Sequence, residues 1–246
     1  TKRVGQIFLH FVEVQVGCLQ VGDNLELLIN EDLRLDVKRN HSGTHLVHEA
    51  LRRVVGDHVA QRGSLNNGER LRFDFSHDKP LTQEQIFLIE QVVNTQIRKN
   101  TPIVTEIMQL ESAKQQGAIA LFGEKYSDDV RVVKMSPEND NYFSIELCGG
   151  THVNNTGDIG FLKIVGESAS SSGVRRLEAV SGKKVVDFVE SIQVVNNRVS
   201  SLLNVSAENI IERVNNLLEE KKRLEQKNTE LNRALISGES DKDNQK

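Results

Sequence analysis

The chain has 246 residues, 31 basic and 35 acidic side chains, a net charge of -4, 37% hydrophobic residues and 3 prolines. This composition excludes general disorder, which goes with a scarcity of Val, Ile and Leu, and a wholly basic nucleic-acid coat, which needs an excess of Lys and Arg. Two cysteines are too few for a disulfide framework, no stretch reaches the ~20 apolar residues of a membrane-spanning helix, and residues 1–5 lack the apolar core of a signal peptide. The expected compartment is the cytoplasm, with no membrane partner, and a start without Met reads as the interior of a longer protein.

From Gln6 to Val37, apolar runs such as Ile7-Phe8-Leu9 alternate with turn residues at Gly17, Gly22-Asp23-Asn24 and Asn30-Glu31-Asp32, as short strands do. They are too few to close a barrel, so residues 1–38 are expected to be the C-terminal part of a linker β-barrel. Residues 41–59 switch to helical spacing through Leu46, Ala50, Leu51, Val54, Val55 and His58. A second helix is expected after Thr82, which forms a capping box with Gln85 ahead of the stripe Ile86, Ile89, Val93 and Ile97. Strand-like stretches recur at 71–75, 103–110, 130–135, 142–147, 159–165 and 174–180, with a short helix near 112–116.

Residues 39–182 therefore read as an α+β domain, helices packed on a mainly antiparallel sheet. Beyond it, Val185, Phe188, Ile192, Val195, Val199 and Leu202 form the seam of a helix that must pair with another, and a second seam runs from Ile210 to Leu235. Residues 183–237 are expected to form a helical hairpin or coiled coil capable of self-association, and 238–246 a disordered tail.

The residues richest in chemistry are His41 and His45, four apart at the start of a helix, and Cys148 and His152, four apart around Gly149-Gly150-Thr151. Positions i and i+4 share a helix face, so both imidazoles can reach one ion. The two glycines permit the tight path that points Cys148 and His152 inward. Three imidazoles and one thiolate suit one tetrahedral zinc. His48 and His58 lie off that face and read as packing or hydrogen-bonding residues, His10 and His77 form no pattern, and Cys18 reads as a small hydrophobe. The rival chemistry is a catalytic Cys148 with His152 or His45 as base. A structural zinc is the harder rival, since four protein ligands close the coordination sphere.

Asn40-His41-Ser42-Gly43-Thr44-His45, Gln61-Arg62-Gly63-Ser64, Leu71-Arg72-Phe73-Asp74-Phe75 and Leu121-Phe122-Gly123-Glu124-Lys125-Tyr126 resemble the editing region of the alanyl-tRNA synthetases. So do Glu146-Leu147-Cys148-Gly149-Gly150-Thr151-His152, Thr156-Gly157-Asp158-Ile159-Gly160 and Gly173-Val174-Arg175-Arg176-Leu177-Glu178-Ala179-Val180. The threonyl-tRNA synthetase editing domain shares the HxxxH and CxxxH pairs but has Pro before its last His, where this chain has Thr151.

The resemblance implies a zinc-dependent deacylase that hydrolyses the ester of the tRNA for alanine mischarged with serine or glycine, because an alanine pocket discriminates poorly against such analogues. It implies His41, His45, Cys148 and His152 as zinc ligands, and Gln61, Thr44, Thr151, Gly149 and Gly150 as the substrate pocket. ATP would serve only an aminoacylation domain that the chain lacks. Asp158, beside a glycine, reads as a turn residue and not a base. Alternatives are a zinc-stabilised tRNA-binding module without hydrolysis, or a free-standing trans-editing deacylase. Charges balance over residues 183–246, leaving the -4 on residues 1–182, so RNA contact would depend on local arginines such as Arg62, Arg175 and Arg176.

Overall fold

The computed structural model describes residues 1–5, 7–120, 126–139 and 141–243. Its longest buried element is helix α1 (Glu31–Val55). Asn30 caps it, accepting a 2.9 Å hydrogen bond from the Leu33 N–H, while Glu31 and Asp32 face the positive end of the helix dipole. Arg52 and Arg53 occupy the last turn, and Gly56 at φ 137° ends it. The sequence reading put strands up to Val37 and started the helix at His41. The helix starts ten residues earlier because Asn30-Glu31-Asp32, taken for a turn, is an N-terminal cap, and the boundary drawn at 38/39 falls within it.

The middle of α1, from Asn40 to Leu51, is buried on nearly every side, which requires neighbours all round. One layer is an antiparallel sheet of β3 (Gln61–Asn66), β4 (Leu71–Ser76), β8 (Leu162–Ser171) and β9 (Val174–Ser181), in the order β3-β4-β9-β8. The other is an antiparallel sheet of β5 (Val104–Gln109), β6 (Asp129–Glu138) and β7 (Asn141–Leu147). Helix α2 (Gln83–Lys99) packs against α1, with the expected Thr82/Gln85 capping box formed in full, and α3 (Leu110–Gln115) covers β5 and β6. A Cβ at Gly43 would stand 2.9 Å from Leu162 Cδ1, so this glycine lets α1 approach the first sheet closely.

Phe73, Phe75, Leu46, Leu51, Ile89, Leu162 and Leu177 are fully buried in the main core, and Ala113, Val130, Val132, Ile145 and Leu147 form a smaller core around α3. The protein is thus α+β, as the patterning indicated. Strand β3 was not anticipated: its Gln-Arg-Gly-Ser start carries little strand propensity, and pairing with β4 overrides it.

Before α1, among the described residues, only β1 (Lys2–Val4) and β2 (Ile7–Leu9) pair. The other strand-like runs up to Asn30 join no ladder, and Phe11, Val12, Val14 and Leu27 are exposed. No closed barrel is present among the described residues. After β9, helices α4 (Lys183–Leu203) and α5 (Ile210–Asp243) follow in the expected order. Their seams do not close on each other, for Ile192, Val195, Leu224 and Leu231 are each more than half exposed. Helix α5 continues through residues 238–243, where the sequence suggested a tail. Among the described residues no helix is long and apolar enough to cross a membrane. The motif stretch 121–125 lies outside the described residues.

Candidate metal centre

Helix α1 and the loop after β7 meet between the two sheets, and there His41, His45, Cys148 and His152 come together. Their donor atoms all lie within 4.8 Å of one another, and the three ring pairs have centroids 4.4–5.2 Å apart. Cys148 Sγ is 3.4 Å from His41 Nε2 and 3.4 Å from His152 Nε2. His45 is buried, His41 and Cys148 are half-buried, and His152 is buried.

Each imidazole is gripped through its other nitrogen. His41 Nδ1 is 3.2 Å from the Thr151 carbonyl, His152 Nδ1 is 3.2 Å from Ser42 Oγ, and His45 Nδ1 is 2.7 Å from Glu146 Oε2. A carbonyl or carboxylate only accepts, so in the neutral form that ligates a metal His41 and His45 carry their protons on Nδ1 and leave the Nε2 lone pair for a ligand. His45 Nε2 is buried without a hydrogen-bond partner. These residues fit zinc: an unpartnered buried nitrogen, a convergent N₃S donor set, and outer partners that fix each tautomer.

The loop is held as firmly as the rings. Cys148 N–H donates to the Arg131 carbonyl at 3.0 Å, and Arg131 Nη1 donates to the carbonyls of Cys148 and Gly150, both at 2.7 Å. The Gly150 N–H faces Cys148 Sγ at 3.5 Å, so it is spent on the sulfur. Gly149 is exposed at the edge of a cavity of about 340 Å³ that reaches Cys148 and is also lined by Tyr126, Asp129, Arg131 and Leu147.

The electrostatics follow from this packing. Burial alone would raise the Cys148 thiol, but hydrogen bonds from His152 and His41, with the charge on nearby His45, hold it down at about 3. Burial would likewise lower His45, yet Glu146 and Cys148 raise it to about 10. His152 is pushed down to about 4 by burial and by the neighbouring histidines, against its bond to Cys148. Burial would raise Glu146, but His45 and His48 hold it well below the usual carboxylate range.

The other sequence candidates fall elsewhere or serve other ends. Thr44 is buried, its Oγ1 2.9 Å from the Asn40 carbonyl and 2.7 Å from Asn66 Oδ1. Thr151 is exposed and offers its carbonyl to His41. Gln61 lies on β3, its Nε2 3.2 Å from Ser64 Oγ. Arg175 is bidentate on Glu167 and Arg176 is bidentate on Asp74, while Arg62 is exposed on β3. Asp158 accepts from the Asn155 N–H at 2.9 Å in a single 3-10 turn, as a turn residue does. His48 is buried and contacts Glu146, as its off-face position suggested.

Glu146, Ser42 and Arg131 were missed. Glu146 was visible in principle, because strand alternation puts it on the same side as Cys148 two residues on. Nothing in the sequence signals Arg131.

Residues 130–178, which hold β6, β7, the ligand loop and most of the β8–β9 hairpin, match the family model described as the threonyl and alanyl tRNA synthetase second additional domain. The chain carries a domain of that family. Over 240 residues it is 46% identical to an alanine–tRNA ligase of Granulibacter bethesdensis, covering 96% of this chain and 27% of the relative. An alanine–tRNA ligase of Parvibaculum lavamentivorans is 47% identical over 227 residues (91% and 25%), and one of Coxiella burnetii is 45% identical over 237 (96% and 27%). The chain thus spans about a quarter of the length of the relatives it matches.

Proposed function

We propose that this chain is a zinc-dependent editing hydrolase that cleaves the ester of the tRNA for alanine wrongly charged with serine or glycine. One observation carries the reading: four donors from two segments more than a hundred residues apart converge with their outer nitrogens already engaged. His41, His45, Cys148 and His152 would hold the ion. When bound, zinc supplies Lewis acidity for a carbonyl or a bound water.

The remaining work falls to the chain. The cavity beside Cys148 and Gly149 receives the aminoacyl ester, and Arg131 keeps the loop rigid beneath it. Of the two glycines, Gly149 is left as the backbone donor for a developing oxyanion, since Gly150 is engaged with sulfur. Glu146 is committed to histidines, Asp158 to a turn and Asp129, on the cavity wall, to the Gln109 amide, so the attacking water takes its base from the ribose hydroxyl of the substrate.

A second reading has its own support: four protein donors closing the sphere are the mark of a structural zinc, in a module that binds tRNA without cleaving it. Deacylation of seryl-tRNA for alanine by the wild type, lost in Cys148→Ala, supports the hydrolase. Binding of that tRNA without cleavage by either protein supports the module. Elemental analysis of protein purified without chelator tests the metal, and a zinc content near zero removes it. The exposed seams of α4 and α5 support self-association through 183–237, to be tested by sedimentation against a chain ending at Gly182.

A further inference from the structure

Behind the four donors, Glu146 occupies a pocket with only 3% of its surface exposed. Its Oε2 is 2.7 Å from His45 Nδ1, a short ion pair whose angle is off the line of a well-formed hydrogen bond. Its Oε1 is 3.1 Å from His48 Nδ1 and accepts from Ser144 Oγ at 3.3 Å. His48 is itself locked, 1% exposed and tilted against the Phe73 ring at a centroid distance of 5.1 Å. His48 is therefore not a spare ligand. It and Ser144 hold one carboxylate oxygen, and the other is left to His45.

We infer that Glu146 is a positioning residue for the metal: it fixes His45 as an Nε2 ligand and supplies the second buried negative charge that a dication with a single thiolate requires. This rests on the metal reading given above. A lone thiolate balances only half the charge of a divalent ion, and an uncompensated charge in a buried site is costly. Glu146 and Cys148 together make the site neutral. Strand β7 carries Glu146 and leads directly into Cys148, the first residue beyond it, and residues two apart along an extended chain share a face. The clamp by His48 and Ser144 prevents the carboxylate from swinging in as a fifth ligand, so the donor set stays N₃S.

The test uses the whole chain with Zn²⁺ and Co²⁺ as probes, in the wild type, Glu146→Gln and His48→Leu. Competition against a chromophoric chelator should show Glu146→Gln weakened about 10–100-fold for zinc, as for other carboxylates behind a ligating histidine. The Co²⁺ ligand-field bands should shift in energy and intensity, a readout that general loss of stability would not move. His48→Leu, which frees one carboxylate oxygen, should weaken binding by a smaller factor and shift the bands the same way, and it carries the test should Glu146→Gln not fold. Affinity and bands equal to the wild type in these variants overturn the positioning role and leave the metal reading standing. A wild type that takes up neither ion overturns that reading, and this inference with it.

Discussion

The His41 ring lies so close to the Gly150 backbone that no side chain fits between them: a Cβ at position 150 would stand 2.7 Å from Nδ1 and nearer still to Cε1. A Cβ at neighbouring Gly149 would meet nothing within 4 Å. Gly150→Ala should therefore lose most bound zinc, by displacing either the imidazole or the loop, whereas Gly149→Ala should retain it. Elemental analysis of the two purified variants decides the point, and equal zinc in both would contradict it.

Helix α1 depends on a different close approach. A Cβ at Gly43 would stand 2.9 Å from Leu162 Cδ1 and 3.4 Å from Leu71 Cδ2. Both are ends of flexible side chains, so the core can yield, at the roughly 1–3 kcal/mol typical of overpacking and against the gain of about 1 kcal/mol in helix propensity. Gly43→Ala should come out destabilised, by about 1 kcal/mol in urea unfolding. A stabilised variant would mean that α1 and β8 are looser than this packing implies.

Glu138 ties β6 to α1 and α2, with Arg53 Nη2 at 2.9 Å, Lys99 Nζ at 3.5 Å and Gln96 Nε2 at 3.2 Å. Partial burial would raise its carboxyl, but Arg53 and then Lys99 outweigh that and lower it. A carboxyl depressed by folding binds fewer protons in the native state. Its contribution is fully present above the unfolded value of about 4.3 and is lost as pH falls through the folded one. The partners are partly exposed, which limits the effect to about 1 kcal/mol. Glu138→Gln should cost about that at pH 7 and progressively less between about pH 5 and 3. Urea midpoints across that range check it, and a loss independent of pH would count against the ion pair.

Arg176 has its fork closed on Asp74, at 2.7 and 2.9 Å. A phosphate contact removed by mutation would reduce the slope of tRNA affinity against salt by about 1. For Arg176→Ala we expect no such change, because the guanidinium is engaged within the sheet. A salt titration of tRNA binding that does show the reduction would restore this arginine to the RNA surface.

The parts legible in the sequence were those written in local code. The Thr82/Gln85 box and the stripe after it placed α2, and the paired spacings at His41/His45 and Cys148/His152 placed the donors before any contact was known. The Asn30 cap was misread because Asn, Glu and Asp also mark turns, and only the Asn30 side chain's acceptance of the Leu33 N–H makes the stretch a helix start. The supports of the site escaped for a related reason. Ser42 and Arg131 act on residues far along the chain or across a strand pair, where no spacing rule reaches, and alternation marks Glu146 only as sharing a side with Cys148, not as the partner of His45.

Cys148 meets His41 across 107 positions of sequence, with β3 to β7 between them. During synthesis at about 5–20 residues per second, the two histidines of α1 leave the ribosome several seconds or more ahead of Cys148 and His152, which complete their set. No early intermediate of the nascent chain can hold the ion by these four donors. Loading by the full set would thereby be deferred until β3 to β7 have been made, so an occupied centre would certify that synthesis has passed His152.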